Sequence, residues 1–284
     1  MEDFVSGNEL KGMVDSLNHE IMQASAVIAD LLPPPSRRQN WNVVDDAIDA
    51  LRKDKVFGTK LRLQLEARDE LPDPTFPVQI ALQASLARIS CAAIYSLHTS
   101  SESYLYNIAG GIEQSEKYPV FAKWQAITHA ELLRRGAIDP KVWLKQMIHL
   151  SCSALAVAGW PEAMQEANRQ AWKLDERFGT IVNMCMALNQ VVKQKIFSMR
   201  IHLICPRYHS SFDSTVMEEE VLGASPSPAG SRILCTTGLG LTYEEVKLDG
   251  IGETAIALKA KVATGSMFVD TSTAPPPRSR SRKR

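Results

Sequence analysis

The sequence of 284 residues predicts a mostly α protein: a multi-helix bundle with an extended N-terminal helix, a small β-rich C-terminal segment and a disordered basic tail. Three observations predict this class. Residues 8–32 repeat apolar side chains at alternating spacings of four and three, which is a helical period. Between residues 119 and 206, prolines and glycines follow the order expected at helix starts and ends. After Pro206 the sequence turns polar and then β-like, and it closes with PPPRSRSRKR.

These changes in composition divide the chain into five predicted segments. An N-terminal helical arm covers residues 1–35 and a helical core covers 36–206. A linker at 207–231 and a β-rich segment at 232–269 follow, and residues 270–284 form the tail. The hydrophobic content of 45% is enough for a sizeable core, which excludes a wholly disordered protein.

The N-terminal stripe has the a/d spacing of a coiled coil over about three heptads. Its members are Leu10, Val14, Leu17, Ile21, Ala24, Ile28 and Leu31. Two interpretations are open. In the first, the stripe is an oligomerisation seam that pairs with a second copy, so the protein is a homo-oligomer and deletion of residues 1–32 leaves the bundle folded. In the second, the helix packs on its own domain. The prolines at 33–35 predict its end, because proline lacks a backbone donor.

The helical core carries a series of helix signals. Asn42 is a predicted cap for a helix that runs to Lys53, and residues 61–65 alternate leucines in a way that fits a strand or a helix. The run 78–97 is apolar nearly all round, which predicts a helix buried in the middle of the bundle. Four further helices are predicted at residues 120–135, 141–158, 162–178 and 180–204. Short connections predict antiparallel neighbours.

The net charge is zero, but the charges are distributed unevenly along the chain. Lys plus Arg and Asp plus Glu each number 32, and five of the cations lie at the end of the tail. Without those five, 27 cations face 32 anions, so the rest of the chain carries a charge of −5. Guanidinium groups bind phosphates bidentately, so we predict that the tail binds nucleic acid, RNA rather than DNA. The predicted binding residues are Arg278, Arg280, Arg282, Lys283 and Arg284.

The tail has other interpretations. It also fits a nuclear-import signal, a solubilising end, or an arm whose charge is switched by phosphorylation of Ser279 and Ser281. One tail binds nucleic acid weakly, but several tails on one assembly bind strongly. A helical core, an assembly arm and a basic tail together resemble viral nucleocapsid and coat proteins, in architecture only. That resemblance implies a non-enzymatic, self-associating protein that binds or packages nucleic acid.

The pattern D-D-x-x-D is the strongest enzyme-like signal. Asp45, Asp46 and Asp49 share one side of a predicted helix, where three carboxylates suit Mg²⁺. The spacing resembles the aspartate-rich motif of isoprenoid diphosphate synthases, which implies a Mg²⁺-dependent enzyme acting on a diphosphate. The other interpretation is a solvated acidic first turn that complements the helix dipole. No P-loop or nucleophile elbow occurs, so we assign no catalytic residue and no cofactor. A nuclear adaptor or regulatory protein is a further alternative.

The number and spacing of the cysteines indicate the redox state of the compartment in which the protein resides. Their number, five, is odd and no C-x-x-C pair occurs, which favours a reducing environment over a disulfide framework. No signal-peptide core and no run of about eighteen apolar residues is evident, so we expect an intracellular protein, cytoplasmic or nuclear, not secreted and without a membrane partner. His202, Cys205 and His209 have metal-like spacing, but Pro206 interrupts them and a fourth ligand is lacking, so no metal is predicted.

Overall fold

The structure, a computed structural model, describes residues 3–32, 41–67, 73–97, 103–165, 170, 173–220, 230–247 and 250–268. The fold is mostly helical, as predicted, with two small three-stranded sheets in its C-terminal part. Within the described residues the helices are α1 Gly7–Leu31, α2 Trp41–Lys53, α3 Thr59–Glu66, α4 Phe76–Tyr95, α5 Ser103–Ser115, α6 Tyr118–Arg134, α7 Pro140–Val157 and α8 Leu174–Gln194. The strands are β1 Met199–Ile204, β2 Met217–Glu219, β3 Ile233–Gly238, β4 Gly240–Lys247, β5 Gly250–Leu258 and β6 Ala260–Thr264.

Helix α4 lies at the centre of the bundle and packs against α1, α7, α8 and β3. It is apolar on nearly every face, as the sequence predicts for a central helix. With a mean hydropathy of 1.2, α4 is long and apolar enough to cross a membrane by length and composition only, which corrects the expectation that no such run exists. However, 78% of that stretch is buried inside the protein, and the core helix of a bundle has the same composition.

Helix α1 uses its apolar stripe inside its own chain. Ser6 caps the helix by accepting a hydrogen bond from the Glu9 N–H at 3.2 Å. Six of the seven stripe residues, from Leu10 to Ile28, are at most 3% exposed, while Leu31 is 51% exposed. Because α1 packs against α4 and α8, these side chains have little surface left for a second copy. This arrangement is the second of the two interpretations. Self-association stays a prediction, and residues outside the stripe would have to make the contact between copies.

Several predicted helix boundaries are wrong. Residues 161–164 form a short 3₁₀ turn, and α8 runs through Gly179 instead of stopping there. The buried Leu174 and Phe178 before this glycine anchor the helix and offset the cost of about 1 kcal/mol for an interior glycine. The predicted helix 180–204 ends at Gln194, and its last six residues form β1, which pairs antiparallel with β4.

Other helix boundaries agree with the caps and glycines in the sequence. Asp139 caps α7 by accepting a hydrogen bond from the Lys141 N–H at 2.9 Å. Gly136 and Gly159, which follow α6 and α7, have φ values of 68° and 100°, as the glycines that end helices do. The leucines at 61–65 belong to helix α3, with Leu61 and Leu65 buried one turn apart. Helix α5 was not predicted.

The two sheets pack on the bundle, as expected of a β segment too small to be stable alone. One sheet has the order β1-β4-β5, and the other has β2-β6-β3 with β2 and β6 parallel. Leu234, Leu239 and Leu241 join the core that α4 organises. A Cβ atom at Gly240 would lie 2.5 Å from the Ala260 backbone nitrogen, so this close approach requires glycine. Strand β2 lies within the stretch 207–231 expected as a linker.

A buried polar cluster ties α4, α6 and α8 together. The side-chain amide of Asn189 donates to the carbonyl oxygens of Ala93, Ile94 and Ser96 at 2.7–3.2 Å, where α4 ends. Its oxygen lies 2.6 Å from His129 Nε2, and the Gln194 amide lies 2.8 Å from Nδ1. Burial lowers the pKa of His129. His129 is therefore a satisfied core histidine.

Candidate nucleic-acid interface

The turn that joins α2 to α3 concentrates positive charge. Residues 52–62, here called the basic turn, contain five cations and one anion, Asp54, a net charge of +4. The cations are Arg52, Lys53, Lys55, Lys60 and Arg62. The remainder of the chain before the tail is strongly acidic by comparison, so this turn is a positive region on a negative body.

Buried anchors hold the basic turn in place. The Val56 N–H donates to the Leu51 carbonyl oxygen at 3.0 Å, which closes the end of α2. Lys55 takes a left-handed φ of 54° in this closure, at a position where glycine is usual. Val56 and Phe57 are buried in the core beneath, while Lys53 and Lys55 remain exposed. The backbone is therefore fixed and the charged side chains face solvent.

A cavity of about 140 Å³ lies beside the basic turn. Its apolar wall comes from Leu51, Phe57 and Val157. Its polar wall comes from Arg52, Thr59, Arg62, Tyr208 and His209. Two arginines, a hydroxyl group and two polar rings thus surround one small space.

Gly58 allows the two rings to reach the turn. A Cβ atom at this position would lie 2.8 Å from Tyr208 Cδ2 and 3.2 Å from His209 Nε2. The two rings meet edge to face, with centroids 4.8 Å apart. His209 has a left-handed φ of 69°, and its N–H donates to the Ile233 carbonyl oxygen at 3.1 Å. Unusual backbone conformations of non-glycine residues concentrate at functional sites; His209 lines this cavity, and Lys55 lies in the basic turn beside it.

The two arginines of the cavity are weakly held. Arg52 lies 3.2 Å from Asp49, and its side chain is 68% exposed. Arg62 lies 3.6 Å from Glu66, and its side chain is 32% exposed. The buried Nε of Arg62 has no hydrogen-bond partner within the described part of the chain. Exposed ion pairs contribute roughly 0–1 kcal/mol, so the Arg52 guanidinium group can exchange its carboxylate for an incoming anion at little cost.

A second cavity, of about 220 Å³, is lined by other residues of the same turn. Lys53, Lys55 and Arg88 contribute its cations, and Asp54 and Gln146 also line it. The basic turn is thus flanked by two cation-lined cavities. A chain of phosphates that crosses the turn would meet cations from both.

The sites predicted from sequence lie elsewhere. Asp45, Asp46 and Asp49 are exposed on α2, and across the described residues no three His, Cys, Asp or Glu side chains are grouped to hold one metal ion. The tail residues Arg278, Arg280, Arg282, Lys283 and Arg284 lie outside the described residues. The sequence signal that could have pointed to this candidate interface is the cluster of five cations in eleven residues, which spans a helix end, a turn and a helix start.

The chemistry of this interface suits a nucleotide chain. Guanidinium groups match phosphate oxygens bidentately, and the faces of tyrosine and histidine rings stack on unpaired bases. A threonine hydroxyl can bond to phosphate or to a ribose hydroxyl. No family model matches this chain, and neither a curated protein nor a solved structure shows significant similarity to it.

Proposed function

We propose that this protein is a non-enzymatic nucleic-acid-binding protein that self-associates and coats or packages RNA. The observation that carries the proposal is the arginine-lined cavity beside the basic turn, with Tyr208 and His209 in its wall. The turn lies in the folded body, so it would orient the nucleic acid. The tail would add sequence-independent attraction through counterion release.

Single-stranded RNA is the favoured ligand. Aromatic and arginine side chains recognise bases that are unstacked, and the bases of a duplex are not available to them. The cavity of about 140 Å³ offers space for a small planar group, and the cations on both sides of the turn suit a flexible phosphate backbone. For the alternative of a Mg²⁺-dependent diphosphate enzyme, the described residues contain no group of three His, Cys, Asp or Glu side chains that could hold the metal ion.

Self-association needs an apolar surface other than the stripe of α1. Helix α6 offers one: Val120 and Ile127 are 50% and 62% exposed and lie on one face, with the half-buried Trp124 between them. Contiguous exposed apolar groups mark interaction sites in soluble proteins. We assign the contact between copies to this face of α6.

The first prediction concerns RNA binding. The double variant Arg52→Ala/Arg62→Ala should bind a short single-stranded RNA more weakly, and its slope of log K against log salt should be shallower by about 1.4, since each lost phosphate contact accounts for about 0.7. Deletion of residues 278–284 removes five cations and should make the slope shallower by about 3 to 4. Fluorescence anisotropy of labelled RNA across a salt series measures both.

The matched control is Arg134→Ala/Arg135→Ala. It removes the same charge from the end of α6, where both arginines pair with Glu131 away from the cavity. It should leave the slope unchanged. Equal loss in the two double variants would remove the basic turn from the proposal. A full-length protein without salt-dependent affinity for RNA or DNA would refute the proposal as a whole, and nuclear exclusion of a tail-deleted reporter would then assign the tail to import.

The second prediction concerns assembly. Val120→Glu/Ile127→Glu should lower the mass measured by light scattering and leave the circular dichroism spectrum unchanged, because both side chains are solvent-exposed in the single chain. Ile256→Glu, at an exposed apolar position on β5, is the control and should not change the mass. An unchanged mass in the α6 variant would show that this face makes no contact between copies.

A further inference from the structure

A third cavity, here called the α1 cavity, has a volume of about 370 Å³. It is lined by residues of α1, β2, β3 and β6 and of the end of β5, and none of them belongs to the basic turn. Cavities that bind small molecules have volumes of roughly 300–1,000 Å³, so this one is large enough for such a ligand. Asp15, His19 and Lys259, which lie at its wall, are exposed, so a ligand can enter from solvent.

Hydrogen bonds hold the walls of the α1 cavity in place. The Asn18 side-chain amide donates to the Leu239 carbonyl oxygen at 2.8 Å, and its oxygen accepts from the Leu239 N–H at 2.8 Å. The Glu220 N–H donates to the Val262 carbonyl oxygen at 3.0 Å, and the Glu220 carboxylate accepts from the Thr237 hydroxyl at 2.7 Å. These bonds fix α1 and β2 against the rest of the sheet, so the site is formed without a ligand.

A glycine keeps space open between the helix and the sheet. In the register of β2, β6 and β3, Lys261 lies between Glu218 and Gly238. A Cβ atom at Gly238 would lie 3.2 Å from Lys261 Cβ and 3.4 Å from Asn18 Cγ. A side chain at this position would therefore occupy the space between α1 and β6.

The lining of the α1 cavity carries charges of both signs. Three carboxylates and two ammonium groups contribute to it, from Asp15, Glu218, Glu220, Lys259 and Lys261. Glu218 and Lys261 are register partners on neighbouring strands, so their Cα atoms lie about 5 Å apart. Nevertheless, within the described residues none of the five groups forms an ion pair. Both signs of charge are therefore available to a ligand.

A ligand with groups of both signs complements this lining. Three carboxylates and two ammonium groups give a net charge of −1 when histidine is neutral, so a ligand with two cationic groups and one carboxylate balances it. Lys259 Nζ donates to the Ser214 carbonyl oxygen at 2.5 Å, which leaves two of its three hydrogens for a ligand. Met22 and Leu258 supply the apolar part of the lining, which suits a methylene chain.

Other classes of ligand fit the α1 cavity less well. The three carboxylates repel a chain of phosphates, and the two ammonium groups repel a polyamine or a metal ion. In the part of the chain that the structure describes, no three His, Cys, Asp or Glu side chains are grouped to hold one metal ion. The lining therefore favours a zwitterion that carries one additional cation.

We propose that the α1 cavity binds a free basic amino acid, with arginine as the reference ligand. Lys259 and Lys261 hold the carboxylate of the amino acid, and its methylene groups lie against Met22 and Leu258. The carboxylates of the cavity hold the α-ammonium group and the guanidinium group, which matches a carboxylate bidentately. This site is independent of the RNA-binding proposal.

A series of ligands tests the proposal on the full-length protein without any variant. Isothermal titration calorimetry compares arginine with agmatine, which lacks the carboxylate, and with citrulline, which lacks the cationic side-chain group. Each analogue should bind at least about tenfold more weakly than arginine, because it leaves charged groups of the cavity without a partner. No binding of arginine at millimolar concentrations, or equal affinity for all three compounds, would overturn the proposal.

Variants separate the two ends of the ligand. Lys261→Met should weaken arginine binding by about tenfold without weakening agmatine binding, because only arginine has a carboxylate for this lysine. Glu220→Gln should weaken both ligands, since both carry cationic groups. Lys141→Met and Glu116→Gln are the matched controls at exposed positions outside the cavity, and they should leave both affinities unchanged. Unchanged affinities in the two cavity variants, or equal losses in the controls, would refute the assignment, and circular dichroism verifies that each variant is folded.

Discussion

Deletion of residues 1–32 is expected to abolish cooperative folding. The deletion removes α1, and five large apolar side chains of this helix are at most 1% exposed. They are Leu10, Val14, Leu17, Ile21 and Ile28. Burial of such a side chain contributes about 1.5–3 kcal/mol, so the five together contribute roughly 8–15 kcal/mol. That is comparable with the whole stability of an ordinary domain, about 5–15 kcal/mol.

Thermal and urea unfolding followed by circular dichroism measure this effect. A graded version uses Ile21→Ala, which should lower the free energy of unfolding by about 2–5 kcal/mol through lost burial and a cavity. Leu31→Ala is the control, because this member of the stripe is half-exposed, and it should change stability by no more than about 0.5 kcal/mol. A deletion variant that unfolds cooperatively at a lower assembly mass would instead support the oligomerisation seam predicted from the heptad spacing.

Lys193→Met is expected to stabilise the protein at neutral pH. Lys193 is 8% exposed on α8, and its ammonium group lies 5.7 Å from the centre of the Tyr95 ring. Burial lowers the pKa of Lys193 from 10.5 to about 8, against the attraction of Glu113. The charge of Lys193 in turn helps to lower the pKa of His129. Folding at neutral pH therefore places a charged ammonium group in an apolar environment.

The pH dependence follows from the sign of this shift. Between about pH 8 and 10.5 the unfolded chain binds a proton on Lys193 that the folded chain has released, so wild-type stability should rise with pH in this range. The full span corresponds to about 3 kcal/mol, an upper value since methionine also loses the cation–π contact. Below pH 8 the advantage of the variant should be largest, and above 10.5 it should disappear.

Urea denaturation of both proteins across this pH range measures the difference in the free energy of unfolding. The exposed Lys123→Met on α6 is the control and should show no pH-dependent difference from wild type. A Lys193→Met variant that is less stable than wild type at neutral pH would show that the cation–π contact outweighs the cost of burying the charge. A difference independent of pH would contradict the lowered pKa.

Local signals in the sequence were sufficient for most of the helical core. Asp139 and Pro140 predict the start of α7, and Gly136 and Gly159 predict helix ends, because caps and left-handed glycines act on neighbouring residues only. The apolar composition of α4 predicts its central position. These features depend on backbone groups within one turn, so no knowledge of the rest of the chain is needed.

Residues 199–204 are an example in which the local sequence does not determine the secondary structure. Their sequence, MRIHLI, follows a helix without a proline or glycine to stop it. They become β1 because β4 supplies hydrogen-bond partners that lie 36 to 46 residues further along the chain. In the same way, Gly179 lies within α8 because the helix face beside it is buried. In both cases tertiary packing outweighed local propensity.

The sequence by itself determined that α1 has one apolar face, that the tail is basic and that cations cluster at residues 52–62. Only the tertiary structure decided what lies against each feature. A periodic stripe requires burial but does not specify whether the covering surface belongs to its own chain. The rings of Tyr208 and His209 reach Gly58 only because β1 ends on α4, where the Leu203 N–H donates to the Tyr95 hydroxyl, and the following residues pass the basic turn. Such residues meet because the core between them is buried. That core is formed by contacts between residues that are far apart in sequence.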